Sequence, residues 1–392
     1  MRQLPEVVVE PRWHGVDALR AVVVLLGVAL HGALPHLQVP LEALPWVVPT
    51  TRPSPLLNTF FWWFHAFQIP LFFLLAGFFA ADTLHQRGPH GFAQHRLRRL
   101  VRPLLLSAAV LLPLLFAVFA AGWWANGTCT WNEIRRMKFA PALQAELYGP
   151  AHLWFLEYLV IYCALFWLWR TARPTRDATP RSALWPALLL SIPTALLLRV
   201  APQVYTAHHN SFAPQPAVFF HQGIFFLAGV WLFSWRHALP RHPLAGASGL
   251  LVSLPLFAVV LTLLTRRADH GLNPSEAWQF AAALALFIWL TTIGVATSAA
   301  AWHRRPHSRI VYLSAASYWL YLVHLPILGA WQLLLAPLGA PALLEFTVAV
   351  FSTVGLGLWS YERWVRGRWL GAFLDGQSRT RSDAPHVRVA AH

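Results

Sequence analysis

The sequence predicts an all-α, polytopic integral membrane helical bundle of about ten transmembrane helices with both termini cytoplasmic, and three observations carry that prediction. Of 392 residues, 57% are hydrophobic and only 11% are charged, giving a mean hydropathy of +0.49. Ten apolar runs approach the roughly 20 residues that a helix needs to cross a bilayer core. The basic residues collect in alternate connections between those runs, as they do when cytoplasmic loops retain Lys and Arg.

Taken in order, the first run, 16–36, follows Arg12 and Arg20 and lacks a small-residue cleavage site. It reads as a retained first span rather than a signal peptide. Further runs lie near 58–82, 102–123, 150–171, 184–200, 216–235, 243–265, 277–300, 309–334 and 340–362. The segments Arg87 to Arg102, Arg170 to Arg181, Arg236 to Arg241 and Arg304 to Arg309 fall on one side. With the N-terminus inside, 23 of the 30 Lys and Arg are inner and 7 are outer. The longer connections, 122–148 and 201–214, are rich in Pro, Asn, Gln and aromatic residues and are predicted to lie outside. The 21 Trp and 26 Phe suit rings that anchor spans at the membrane interfaces. Residues 1–374 make up the membrane domain. Residues 375–392 are polar, carry Arg379, Arg381 and Arg388 without an apolar period, and read as a disordered cytoplasmic tail.

The formal charge of +15 does not point to nucleic acid, because the basic residues are spread among short connections rather than gathered on one polar domain. Two cysteines, Cys129 and Cys163, suggest neither a disulfide framework nor a metal cluster. No fixed-period repeat of the kind found in many transporters stands out.

Two chemical layers emerge when the ionisable residues are placed on the spans. At about 100° per residue, Asp17, Arg20 and His31 share one face of the first helix. Arg20 and His31 are separated by about 16 Å of helix rise. His65, His152, His221 and His324 fall in, or at the edge of, the outer halves of their own spans. Ionisable groups inside a bilayer are costly and usually face an interior cavity. A single interfacial histidine is as often structural as functional, but His31 shares its stripe with two charged groups, and an imidazole can take a proton near neutral pH as a general base must. At the inner surface Arg96-Leu97-Arg98-Arg99-Leu100-Val101-Arg102-Pro103 concentrates four arginines before the third span. Topology explains a basic loop; a phosphate-bearing ligand also explains Arg96 and Arg99 at i, i+3 with Arg102 at the span entrance.

These residues resemble the membrane acyltransferase-3 superfamily, and within it the glucans biosynthesis protein C branch. The resemblance rests on Asp17-Ala18-Leu19-Arg20 with His31 eleven residues later, on Asn58-Thr59-Phe60 through His65, and on Pro70-Leu71-Phe72-Phe73-Leu74-Leu75-Ala76-Gly77-Phe78-Phe79. The arginine segment, His152-Leu153-Trp154-Phe155-Leu156 and Ser317-Tyr318-Trp319-Leu320-Tyr321-Leu322-Val323-His324 continue it in order. It implies a ten-helix enzyme of the bacterial inner membrane. Such an enzyme moves an acyl group, succinyl or acetyl, from cytoplasmic acyl-CoA to a hydroxyl of a periplasmic or cell-surface glycan, osmoregulated periplasmic glucan above all. It further implies His31 as catalytic histidine with Arg20 and Asp17 beside it, and Arg96, Arg99 and Arg102 at the acyl-CoA site. His65, Gln68, His152, Trp154, Tyr318 and His324 are then substrate-binding, with no metal and no bound cofactor. Gln68 departs from the arginine or polar residue matched there in the family. The competing expectation is a proton-coupled transporter or exporter of a small polar solute, whose histidines would relay protons.

Overall fold

The computed structural model describes residues 14–172, 184–236, 242–302 and 307–375. The predicted tail after 375 lies outside the described residues, as do residues 1–13 and several arginines of the inner connections. The described residues form helices and short turns with no sheet among them; the one extended contact is an isolated parallel bridge between Glu42 and Ala207.

In chain order the helices are α1 (His14–Ala33), α2 (Pro55–Arg96), α3 (Arg102–Ala125), α4 (Trp131–Arg136), α5 (Pro141–Ala145), α6 (Trp154–Ala172) and α7 (Leu184–Val200). They continue with α8 (Gln203–Thr206), α9 (Pro216–Ser234), α10 (Ala247–His270), α11 (Pro274–Ala300), α12 (Ser308–Leu335), α13 (Ala342–Ser360) and α14 (Trp369–Asp375). Each of the ten apolar runs lies on one of α1, α2, α3, α6, α7 and α9 to α13. Eight helical stretches among the described residues are long and apolar enough to cross a membrane. The longest of them, Pro55–Ala125, carries two of the ten runs, and the apolar part of α7, Leu189–Val200, is shorter. The chain is therefore an all-α, multi-pass membrane protein.

Two departures from the sequence reading concern helix ends. Hydropathy places the end of the second span near residue 82, yet α2 runs on to Arg96. Its 42 residues make about 63 Å of helix, twice a hydrocarbon core of roughly 30 Å. The polar second half, Thr83 to Arg96, escapes a hydropathy scan although it is helical on either side of Gly88. It bends at Gly88, whose φ of 66° is open to glycine, and Pro89 follows. Between α2 and α3 the backbone makes a π-helical turn over Leu97–Val101, the arginine segment itself. The connections predicted to be irregular also hold short helices: α4, capped reciprocally by Thr130 and Glu133, α5, and α8.

The long α2 is central, packing against α9 most extensively and also against α1, α6 and α11; α1 lies on α12, and α12 on α13. The α2–α9 approach depends on a reciprocal pair of glycines. A Cβ on Gly77 would collide with the Phe226 carbonyl, and one on Gly229 with the Leu74 carbonyl, so small residues let the backbones touch, as is common between membrane helices. Forcing atoms into such a contact costs about 1–3 kcal/mol. Gly77→Ala is expected to lower the thermal midpoint in detergent. Gly355→Ala, where a Cβ meets nothing within 4 Å, is expected to leave it unchanged or raise it.

Candidate active site

The bundle encloses a cavity of about 320 Å³, at the small end of the roughly 300–1,000 Å³ of ligand sites. The loops after α5 and α8 contribute Glu146, Gly149, His208, His209, Asn210 and Ser211 to its lining and form its rim, where His209 is exposed. Of the residues picked out in the sequence, His31, His65, Gln68, His152, Trp154 and His324 line it.

The arrangement of the inner wall can be built from backbone chemistry. Pro326 interrupts α12 and has no N–H to give to the carbonyl four residues before it, that of Leu322. His152 Nε2 donates to that carbonyl at 2.9 Å. One residue earlier on α12 the Tyr321 carbonyl accepts from His324 Nδ1 at 2.8 Å. The Tyr321 hydroxyl in turn donates to the His152 carbonyl at 2.9 Å. Just before His152, Ala151 sits at a φ of 46°, unusual for a residue with a Cβ, and its N–H donates to Asn210 Oδ1 at 2.9 Å. Asn210 is itself held by Glu146, whose carboxylate accepts its N–H at 3.0 Å and whose carbonyl accepts its side-chain amide at 2.7 Å.

These bonds decide the tautomers. Because a carbonyl only accepts, His324 Nδ1 carries the proton and, in a neutral ring, its Nε2 is an acceptor. His31 Nδ1 lies 3.2 Å from that Nε2 and must therefore donate to it. This leaves His31 Nε2 as an unprotonated nitrogen on a half-buried ring that lines the cavity. The ring is clamped from the other side by Trp46, stacked at 6.0 Å and 4°, and Trp46 Nε1 donates to Gln332 Oε1 at 2.9 Å. The Gln332 amide reaches the His31 carbonyl at 3.2 Å. A base oriented by a second hydrogen-bonded group is the arrangement that general-base catalysis requires. His324, with one nitrogen donating and the other accepting, has no lone pair left for a metal ion.

His65 follows the same pattern: its Nε2 donates to the Tyr205 carbonyl at 3.2 Å, and the ring stacks on Phe61 at 4.9 Å. Gln68 donates across the helix interface to the Val23 carbonyl at 3.1 Å. Trp154 packs edge-on to Tyr158 at 5.2 Å.

The other predicted site residues lie elsewhere. Arg20 and Asp17 do pair, at 3.7 Å, but eleven residues of helix separate them from His31, and neither lines the cavity. Their contacts join α1 to α12: Arg20 donates to Ser314 Oγ at 3.1 Å, and Ser314 donates to the Asp17 carbonyl at 3.0 Å. Tyr318 also stays out of the cavity; its hydroxyl donates to the Arg99 carbonyl at 3.0 Å and ties α12 to the π-helical turn. Arg96 donates to the Phe79 carbonyl and Thr83 Oγ1 at 3.0 and 3.1 Å, lies 5.0 Å over the Phe92 ring, and leaves its buried Nε without a partner. Arg102 is exposed. None of these arginines lines the cavity described here. Sequence reading missed Trp46, Tyr321, Gln332 and Asn210; the one local signal was Pro326 two residues after His324, which announces an orphaned carbonyl beside the histidine.

The fold defines a polytopic membrane protein with a histidine-lined interior cavity. Comparison with known proteins narrows the class. The acyltransferase domain of acyltransferase family 3 matches residues 13–362, and the chain belongs to that family. It is similar to glucans biosynthesis protein C of Shigella dysenteriae serotype 1, 25% identical over 90% of this chain and 91% of that protein. The same protein of Escherichia coli strain SMS-3-5 gives the same figures, and that of Salmonella heidelberg strain SL476 is 24% identical over the same shares. No solved structure matches the chain. The chain is thus a membrane acyltransferase, and the transporter alternative falls away.

The rim gives a pH dependence. Burial holds the His208 imidazole down at about 4, with neighbouring His209 acting in the same direction; the Glu146 carboxylate lies 3.9 Å away. Between pH 6.5 and about 4 the unfolded loop takes up a proton that the folded loop refuses, so the folded loop loses stability as pH falls through that window. Burial pushes the Glu146 carboxyl up, which acts in the opposite sense. Hydrogen exchange of residues 206–211, corrected for intrinsic rates, should show protection falling from pH 6.5 to about 4, and His208→Gln should flatten that fall.

Proposed function

We propose that the protein transfers an acyl group, succinyl or acetyl, from acyl-CoA on the cytoplasmic side of the bacterial inner membrane to a hydroxyl of a periplasmic glucan or related glycan. The observation that carries this reading is the hydrogen bond from His31 Nδ1 to His324 Nε2, which presents the basic Nε2 of His31 to the cavity. In the reaction the acceptor hydroxyl gives its proton to His31 Nε2 as its oxygen attacks the thioester carbonyl. A carbon–oxygen ester bond forms and the carbon–sulfur bond breaks. The proton then passes from His31 to the departing thiolate, giving free CoA thiol and acylated glycan. The Nδ1 proton stays on His31 throughout, held by His324, so His324 is a positioning residue.

The donor's phosphates are assigned to Arg96, Arg99 and Arg102, as planar guanidinium forks suit phosphate. Supporting this, Tyr318 touches Arg99 only six residues, or about 9 Å of helix, before His324. An extended pantetheine arm laid along α12 would bring the thioester toward His31. The polar stripe Ser314, Tyr318, Tyr321 and His324 on α12 follows that line, which requires the helices to part there when the donor binds. Arg20 and Asp17 act here by joining α1 to α12 at the inner end. The glucan acceptor rests on the names of the relatives.

His31→Ala is expected to fold and to lose about 10² to 10⁴ in kcat; full activity would overturn the assignment. His324→Leu, which removes the acceptor for Nδ1, should lower kcat about 10²-fold or more with little change in acceptor KM. His324→Gln, which restores an acceptor oxygen, should recover part of the loss. For the donor, an Arg96→Gln/Arg99→Gln variant should bind acyl-CoA about tenfold or more weakly, from roughly 1.5–3 kcal/mol per charge-assisted hydrogen bond; unchanged affinity would move the donor site elsewhere.

A further inference from the structure

The cavity has a second polar pole that the transfer reaction above does not use. His221 and Gln222 lie on α9, which packs on α2, α6 and α7, whereas His31 and His324 stand on α1 and α12. His221 is 3% exposed and Gln222 5%, and both line the cavity beside Tyr158, Gln215 and Val218. Neither ring nitrogen of His221 has a hydrogen-bond partner, and neither does Gln222 Oε1. The contrast with the rest of the wall is chemical. His31, His65, His152 and His324 each donate their N–H to a named protein acceptor, while His221 keeps both a donor and an acceptor uncommitted. Burying such atoms without partners is costly, and in native proteins such groups are met by water, by an ion or by a ligand, or serve a chemical role.

The donor and acceptor inventory selects the ligand. A neutral imidazole offers one N–H and one lone pair, and Gln222 offers a carbonyl oxygen. Among the described residues no Arg or Lys lines the cavity, and the one carboxylate that does, Glu146, is at the rim. A carboxylate or phosphate would therefore meet no countercharge, and a cation no carboxylate at this end. A hydroxyl both donates and accepts, and two adjacent hydroxyls match His221 and Gln222 together. Trp154, Phe155 and Tyr158 line the same region and offer flat apolar faces for the C–H side of a sugar ring.

We propose that His221 and Gln222 form an acceptor subsite that holds two non-reacting hydroxyls of a neutral sugar while a third hydroxyl of the same molecule meets His31. This rests on the acyltransferase reading for its catalytic consequence, but its binding consequence stands alone. Purified full-length protein in detergent would be titrated with a neutral glucose oligosaccharide, following tryptophan fluorescence. It would also be assayed for acyl-CoA hydrolysis without sugar and for acyl transfer with it. In His221→Phe and Gln222→Met, sugar affinity should fall at least about tenfold. Acceptor KM should rise in parallel, kcat at saturating sugar and hydrolysis without sugar should stay within about twofold, and His221→Asn should recover part of the affinity. The thermal midpoint of His221→Phe should hold or rise, because an unmet polar group has been removed, which separates lost binding from lost folding. Sugar bound equally by wild type and both variants, or not bound by the wild type, would mean that the pair meets solvent only and would overturn the proposal. Sugar binding that depends on the pair, in a protein that transfers no acyl group, would leave the subsite standing and the acyltransfer scheme refuted.

Discussion

The bond from His31 to His324 joins the first helix to the twelfth, and the surrounding architecture makes sense as the means of holding it. An imidazole is useful as a base only when one nitrogen is kept protonated and the other kept free. Here a carbonyl of α12 accepts from His324 and so keeps the proton on Nδ1, His324 thereby accepts from His31 at Nε2, and His31 is left with one bare nitrogen. Trp46 and Gln332 pin the ring and its backbone so that the geometry does not relax. The same rule governs the rest of the wall. In a bundle surrounded by lipid, polar groups must be met from within, so each N–H on His65, His152 and Gln68 goes to a carbonyl of a neighbouring element.

Rigidity of the scaffold comes from two different devices. Between α2 and α9 it comes from close backbone contact at Gly77 and Gly229 and from large aromatic side chains buried nearby, such as Phe225 and Trp62. Between α1 and α12 it comes from polar ties spaced along the interface: Arg20 and Asp17 with Ser314 at one end, the imidazole pair in the middle, and Gln332 with the His31 and Gly32 carbonyls at the other. Ser314, Tyr318, Tyr321, His324 and Gln332 lie along one stripe of α12 at helical spacing. This stripe turns α12 into the element that contacts both chemical layers, the arginine turn and the histidine cavity.

At the cavity rim the order is inverted, with loops rather than helices in control. Asn210 bridges the loop before α6 to the loop after α8, and Glu42 pairs with both sides of Ala207. The result positions His152 through the unusual backbone of Ala151. A residue of one loop thus positions a cavity wall more than fifty residues away in sequence, and loops that carry such ties are where ligand access is controlled in many scaffolds.

The amino-acid sequence by itself determined that this chain is an all-helical membrane protein, and it determined which residues stand on which helix and that His31 shares a face with Asp17 and Arg20. Apolar length, helical period and charge alternation are local properties, so they are legible without a fold. It also brought His31, His65, His152, His221 and His324 forward as one outer layer. Only the tertiary structure decided that His31 and His324 touch, that Arg20 answers to Ser314 rather than to His31, that the arginine segment lies off the cavity, and that among the described residues His221 alone of the five histidines has neither ring nitrogen met. Those outcomes depend on contacts such as the one between residues 293 positions apart. They also depend on which carbonyl a proline has left free, and a one-dimensional period carries no information about either.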